Sequence, residues 1–547
     1  MTLSTLLLVV LLGSGTLFAQ QPTPPPSLEA ADMSLSIEEL RRRCESEVRQ
    51  ARALLEREIE GQLQILRNNP PGSEISQRAK KTLARMGRAA CETLVGEIAT
   101  GTADRTLLLS CASILASLLD DPENVSWQQG AISRLAGLLG TGTPSQQVAV
   151  LVALQSTGDP ALVPDLIAIL DSNDFEARRW AARILGHLKS PEAIPGLEKL
   201  LQDQDYRVRQ LGVETLALID TEAQGVRLLD CLSDPSNEVK RAVYVALGRS
   251  RDTRVVEALR TRLRTLQGGL DSVNPDPIVI RELEWILKAL GDIGSPAVID
   301  DLRQVLRTTT LPAISQATEA SLLAILIAVR TSGARQALGD VRQLLDSSWS
   351  DLQREAIRVV RDLRDTEALD RLHALLDNTD QDTVLLVIRT LGQIADPSSR
   401  TRLRALLRPT SSRIVVVESA YALARMGDFA GVDEVTAPIR QRLLKERNNA
   451  FAMVDMADAY KELTKYSDAI GWYRKALKSG RIASRARVKY SLAACYSLSG
   501  QIPAARAYLQ QAMAEGFREK DPQTDPDFAG LRQAVGALIP ETGYGGK

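Results

Sequence analysis

Apolar positions between residues 170 and 250 fall at helical spacing, in blocks that repeat. Residues 176–188 (EARRWAARILGHL), 206–218 (YRVRQLGVETLAL) and 237–249 (NEVKRAVYVALGR) carry one order of apolar and polar positions at a period of about thirty-one residues. Arg178, Arg209 and Lys240 stand in one column and Leu185, Leu216 and Leu247 in another. Asp171, Asp203 and Asp234 occupy the turns just upstream. Segments such as ALVPDLIAILDS (161–172) predict a first helix that ends in an acidic turn. The second helix then opens on Asp174, Asp205 or Ser236, whose side chains accept hydrogen bonds from free N–H groups of the first turn. The cation four residues later shares a face with that cap. Stacked copies bring the acid and base of neighbouring repeats together, which predicts a structural ladder. A period of this length marks helical hairpins too small to bury their own apolar faces alone.

The second-helix leucine recurs at Leu83, Leu115, Leu154, Leu290, Leu391 and Leu423, with weaker copies near Leu326 and Val360. These markers predict ten to eleven helical pairs over residues 75–447. Turns at 158–160 (GDP), 189–191 (KSP) and 294–296 (GSP) separate them, and proline suits the first position of the next helix, where its missing N–H costs nothing. One interval is twelve residues too long, and the excess (266–277) predicts a loop on one edge. Ahead of the array, residues 35–67 predict an amphipathic N-terminal helix capped by Ser36 with Glu39, and Asn68-Asn69-Pro70-Pro71-Gly72 ends it. After residue 448 the period becomes thirty-six. Ala457 aligns with Ala493, Tyr460 with Tyr496, Ala469 with Ala505 and Ala476 with Ala512, small residues that let two helices cross closely. Residues 517–547 predict a C-terminal capping segment and tail.

The stretch LDSNDFEARRWAARILGHLKSPEAIPGLEKLLQDQDYRVRQLGVETLALID (170–220) resembles the HEAT-repeat family in its short bacterial, PBS-lyase-type form. The likeness covers about 75–440 and is strongest over 158–250. Residues 452–480 and 489–516 resemble two tetratricopeptide repeats, over a module of 448–516. These resemblances imply an all-α fold, an α-solenoid (a HEAT-repeat superhelix) followed by a short tetratricopeptide-repeat module. They also imply binding of a protein partner along the concave face lined by second helices. The PBS-lyase name brings an enzyme alternative, a bilin lyase-like protein on a HEAT scaffold.

Composition agrees with closely packed helices: 44% of residues are apolar but only 4% aromatic, so alanine, leucine and valine fill the interior. A formal net charge of −1 argues against a nucleic-acid partner, which demands an excess of cations. Leu3 to Leu12 is nearly all apolar, followed by Gly13-Ser14-Gly15 and then Ala19, which predicts a signal peptide over 1–19 cleaved near Ala19. Residues 20–34 read as a Pro-rich linker, and the mature chain is expected to be exported to the periplasm or cell envelope. The apolar run falls short of the ~20 residues of a spanning helix, so no integral span is expected in the mature form. The five cysteines (Cys44, Cys91, Cys111, Cys231, Cys495) show no CxxC spacing and read as small core residues; any disulfide is expected among the first three.

Chemistry is sparse. His187 and His373 are the two histidines, and neither is followed by glutamate, so no His-Glu metal centre is expected. There is no GxSxG elbow, and Gly140-Thr141-Gly142 lacks the lysine of a phosphate loop. No catalytic, cofactor or metal residues and no small-molecule substrate are therefore expected, and the chain reads as no enzyme. One charge anomaly stands out: Arg474, Lys475, Lys478, Arg481, Arg485, Arg487 and Lys489 lie within residues 474–489 without an acid. This patch reads either as a solvated face balanced by Glu515, Glu519, Asp521, Asp525 and Asp527, or as a site for an anionic partner. Asp455, Asp458, Ser491 and Ala494 stand where peptide-binding tetratricopeptide domains carry asparagines. The expected function is a non-enzymatic protein–protein interaction scaffold or adaptor of the bacterial cell envelope. The alternatives are the lyase-like enzyme and a peripheral protein that binds anionic surfaces through the basic run.

Overall fold

The computed structural model describes residues 37–120, 125–219, 225–250, 252–268, 276–479 and 482–535. The predicted signal peptide and linker, most of the 266–277 excess, and Arg481 lie outside the described residues. All regular structure among the described residues is helical. The chain divides into two compact units, Met1–Ala289 and Leu290–Lys547. Each unit is built as an α-solenoid. In the first, the helices Pro144–Leu154, Phe175–Leu188, Tyr206–Ile219 and Asn237–Leu247 pack each on the next. In the second, Pro312–Ser332, Ser350–Asp362, Gln381–Ile394 and Arg413–Arg425 do the same. A long helix, Ile37–Asn68, lies along the Glu74–Arg85 and Arg88–Thr100 helices of the first unit.

Local sequence explains how each hairpin starts and stops. Short 3-10 turns open on proline at Pro160–Leu162, Pro191–Ala193, Pro296–Val298 and Pro397–Ser399, and each runs straight into a first helix. Second helices open on side-chain caps: Asp174 accepts from the Glu176 N–H at 2.8 Å, Asp205 from Arg207 at 2.9 Å and Ser236 from Val239 at 3.5 Å. Six of them end on a left-handed residue, which is glycine at Gly294, Gly333 and Gly427 but Lys189, Arg364 and Ala395 in the others. At these last three a side chain occupies a conformation that favours glycine.

The apolar stripe of the second helices makes the core. All eleven marker residues, from Leu83 to Leu423 and including Leu326 and Val360, are fully buried. The glycine after the leucine matters where helices meet: a Cβ on Gly392 would lie 2.8 Å from the Ala422 Cα. Pro312–Ser332 is long and apolar enough to cross a membrane by length and composition. Here it buries Ile314, Leu322, Ile325, Leu326 and Val329 against neighbouring helices. The alanines at 457, 469, 476, 493, 505 and 512 are all buried where the helices from Ala450 to Ala514 cross.

The predicted ladder forms. The Arg178 guanidinium donates to both Asp203 carboxylate oxygens at 2.6 and 2.9 Å, and also to the Ser172 carbonyl of its own turn at 2.8 Å. Arg209 repeats this with Asp234 at 2.7 and 3.0 Å and with the Asp203 carbonyl at 2.7 Å. Each arginine thus ties its own acidic turn to the next one, in a fork geometry that only a guanidinium supplies. Lys240, lacking the fork, points instead to Glu282 at 3.8 Å. Asp171, with no preceding arginine, pairs among the described residues only with exposed Lys199.

The second unit uses another column for the same end. Arg342 binds Asp365 at 2.6 and 3.0 Å, and Arg404 binds Asp428 at 2.6 Å. Between them His373 takes the equivalent place, its Nε2 2.9 Å from the Ser399 hydroxyl. Burial, followed by the charge of Arg402, lowers its pKa from 6.5, so the fold favours the neutral imidazole.

The cysteines are core residues where they are described. Cys91 and Cys111 are separate, buried free thiols, so the disulfide expected among Cys44, Cys91 and Cys111 does not join these two. Burial pushes the Cys91, Cys111 and Cys495 thiols up to about 12 and Cys231 to about 11, which keeps them protonated and unreactive.

Arg209→Ala leaves the largely buried Asp234 carboxylate with only the Ser236 N–H, and urea unfolding should show a loss of about 1–3 kcal/mol. Burial opposes ionisation of Asp234, but the Arg209 and Ser236 hydrogen bonds prevail and hold its pKa below the usual range. The contribution is therefore present at neutral pH and fades as pH falls below about 4. Ala395→Gly should raise stability by up to ~1 kcal/mol, because it relieves the left-handed strain at φ 60°. For His373 the unfolded chain binds more protons than the fold below its ordinary pKa of 6.5, so stability should drop as pH falls through that value. His373→Gln should flatten this dependence in thermal unfolding across mildly acidic pH.

Candidate interaction surface

A second helix whose apolar stripe faces the core turns its other positions outward, and stacked second helices collect these into one face. On Phe175–Leu188 this face carries Arg179, Arg183 and His187 at intervals of four; on Tyr206–Ile219 it carries Arg207, Gln210, Glu214 and Leu218. Between the two helices lies a cleft of about 330 Å³. Gly186 against the Thr215 side chain lets the helices approach beneath it. Arg179 pairs with Glu176 at 3.1 Å, and Arg207 pairs with Asp205 at 2.6 Å while lying 4.5 Å over the Phe175 ring. The Arg207 hydrogen bond brings the Asp205 carboxyl down to about 2. Arg183 has no carboxylate partner among the described residues; its guanidinium stands 5.6 Å from the Trp180 ring centroid. His187 is exposed, with Nδ1 2.8 Å from the Arg183 carbonyl. Leu218 and, one repeat on, Val245 place apolar side chains in solvent at 45% and 57% exposure. The face therefore offers guanidinium, imidazole, indole and aliphatic groups that the fold itself does not consume. Sequence reasoning named the second-helix face as the partner surface and weighed His187 only as a metal ligand; the signal it passed over was the spacing of Arg179, Arg183 and His187.

A larger cleft of about 770 Å³ lies in the second unit among Arg303, Arg307, Arg342, Trp349 and Arg371. Most of its arginines hold structural partners: Arg303 binds Asp300, Arg342 binds Asp365 and Glu367, and Arg371 lies 3.6 Å from Asp346.

The basic run occupies the end of Tyr466–Ser479 and the start of Arg485–Leu498. Arg474, Lys475, Lys478, Arg485 and Arg487 are exposed. Lys475 lies 4.2 Å over the Trp472 ring, and Arg485 donates to the Leu477 carbonyl at 3.2 Å. Lys489 is half-buried and pairs with Glu515 at 2.5 Å. Of the other acids expected to balance the run, Asp527 binds Lys461 at 2.6 Å, and Asp525 accepts from the Tyr490 hydroxyl at 2.9 Å. Asp455, Asp458 and Ser491 share a groove of about 230 Å³ with Phe451 and Arg487. Asp455 pairs with Arg442 at 2.8 Å, Asp458 accepts from the Tyr473 hydroxyl, and Ala494 is buried.

With this geometry in view, known proteins supply a family context. The HEAT repeats profile matches residues 133–217, 163–235 and 338–424, and the PBS lyase HEAT-like repeat profile matches 283–308. Deoxyhypusine hydroxylase of Arabidopsis thaliana is 29% identical over 208 residues, 37% of this chain and 59% of that protein. Phycocyanobilin lyase subunit alpha of Nostoc sp. is 29% identical over 153 residues, 26% of this chain and 54% of that protein. The chain thus spans little more than half the length of either relative. The crystal structure of Kap121p overlays 88% of this chain and 56% of its own at a TM-score of 0.41 and 14% identity.

The expectation that the chain is no enzyme is overturned here, because these sequence relatives carry enzyme names. It rested on the absence of three kinds of motif, and a scaffold hosts chemistries beyond those three. What the profiles do establish is that this chain carries HEAT repeats in both of its units, one stretch of them of the PBS lyase HEAT-like type.

Proposed function

We propose that the chain is a protein-interaction scaffold of the bacterial cell envelope, engaging its partner along the second-helix face of the HEAT array. The observation that carries this reading is the cleft between Phe175–Leu188 and Tyr206–Ile219. Its lining includes Trp180, Arg183, His187 and Leu218, none of which joins the ladder or the leucine seam. Tryptophan and arginine are also the side chains that most often dominate binding energy at interfaces. The bacterial setting is supported by the Nostoc lyase relative, and export by the apolar leader and proline-rich spacer of residues 1–34. The helices from Ala450 to Ala514 are read as two tetratricopeptide repeats, on the strength of their aligned and buried alanines. The array then has two partner-facing modules, 75–447 and 448–516.

The lyase name of the Nostoc relative supports a second reading, in which the chain handles a bilin chromophore. Visible absorbance of the purified protein after addition of phycocyanobilin distinguishes the two.

In-cell cross-linking followed by mass spectrometry identifies the partner, and titration calorimetry then measures its affinity for variants. Trp180→Ala and Arg183→Glu should each weaken binding by about tenfold or more while thermal stability stays within about 1 kcal/mol of the parent. Parent-like affinity in both variants would place the interface elsewhere.

A further inference from the structure

The second unit carries a charge imbalance that the scaffold reading does not use. Between Asp468 and Glu515 there is no acidic residue, while Arg474, Lys475, Lys478, Arg481, Arg485, Arg487, Lys489 and Arg506 are all present. The chain as a whole is nearly neutral, so this excess is local. Four helices in antiparallel succession decide where the charge goes. Val432–Lys445 ends, Ala450–Glu462 begins, Tyr466–Ser479 ends and Arg485–Leu498 begins at one end of this hairpin stack. Ile482 of the last turn packs in the same apolar cluster as Leu443, and Phe451 lines one groove with Ile482, Ser484 and Arg487, which confirms the juxtaposition.

Two connectors therefore share that end. The first follows Lys445, and residues 444–448, which end the helix and begin this connector, are exposed throughout and read Leu-Lys-Glu-Arg-Asn; the second has Lys478, Arg485 and Arg487 on its flanks. Lys445, Arg447, Lys478 and Arg487 have no carboxylate partner among the described residues. Of the nearby acids, Glu446 is engaged by Asn449 at 2.9 Å, Asp455 by Arg442, Asp458 by Tyr473 and Glu515 by Lys489. Among these unneutralised cations stand Leu444 and Phe451, at 72% and 63% exposure. A large apolar side chain kept in water amid cations gains nothing within the fold, and Arg485 and Arg487 sit at a helix start, where positive charge is unfavourable. Both departures make sense against a surface that is negative outside and apolar just beneath.

We propose that this end of the C-terminal hairpin stack docks on an anionic lipid bilayer. Lys445, Arg447, Lys478, Arg485 and Arg487 contact the phosphate headgroups, and Leu444 and Phe451 enter the acyl boundary. A bilayer fits better than an acidic protein segment because the cations are exposed at helix ends and at Arg447, whereas the groove beside them, which Arg487 also lines, is walled by Asp455 and Asp458. Cations near a charged membrane and shallow apolar insertion act together in such docking.

Sedimentation with vesicles tests this on the full chain. The parent should bind mixed phosphatidylglycerol–phosphatidylcholine vesicles, with affinity falling as salt rises, and show far weaker binding to phosphatidylcholine alone. Charge reversal (K478E/R485E/R487E) should reduce binding to the mixed vesicles by about 100-fold or more, at roughly fivefold for each of the three cations. The apolar pair L444S/F451S should lose about tenfold on vesicles yet keep parent affinity for poly-glutamate, which offers charge without an apolar layer. Circular dichroism confirms that both variants fold, and the apolar N-terminal run is common to all three proteins, so differences report this end alone. Poly-glutamate binding without vesicle binding, or vesicle binding unchanged in either variant, would overturn the proposal.

Discussion

A helical hairpin of about thirty residues has one apolar stripe and nothing of its own to cover it. Everything else in this protein follows from the way that stripe is closed. The second-helix leucines are buried by the neighbouring repeat, so each hairpin supplies half of two interfaces. Close approach is needed to seal them, which is why Gly392 lies where a Cβ would collide with Ala422. Burial of a leucine contributes about 2 kcal/mol, so the seam dominates and the charged contacts refine it. The Arg178–Asp203 and Arg209–Asp234 pairs act at the rim of the seam. Each arginine binds a carbonyl of its own turn and a carboxylate of the next, and so sets the register between hairpins.

Much of this architecture is legible in the sequence because repetition multiplies a weak signal. A lone Leu-Gly or Leu-Ala pair means little, but such a pair every thirty-one residues, with a cation and Asp at fixed offsets, predicts both seam and ladder. The second unit was harder to read. Its turns are pinned by Arg342, His373 and Arg404, residues that do not align as one chemical type, and His373 finds Ser399 where its neighbours find aspartates. The candidate surface was less legible still. Arg183 and His187 sit on the same helix as Arg178, and only the packing shows that Arg178 is consumed by the fold while the other two are not. Leu444 and Phe451 gave no warning, since an apolar residue at a helix end normally packs inward.

This division between consumed and unconsumed side chains carries the functional reading. In a solenoid the positions that stack the repeats and those that meet solvent alternate along one helix, so structure and recognition evolve on separate faces. It also explains why enzyme names occur among the relatives: a helical array leaves its outward positions free for whatever chemistry a given member places there. The missing motifs therefore bear on particular reactions and leave the scaffold's broader capacity open.

The shared seam is tested most directly by hydrogen exchange on a Leu216→Ala variant. Its cavity should cost about 2–5 kcal/mol. The account predicts that amide protection falls together in Phe175–Leu188, Tyr206–Ile219 and Asn237–Leu247, the three helices that close one seam. Loss of protection confined to Tyr206–Ile219, with both neighbours unchanged, would contradict it.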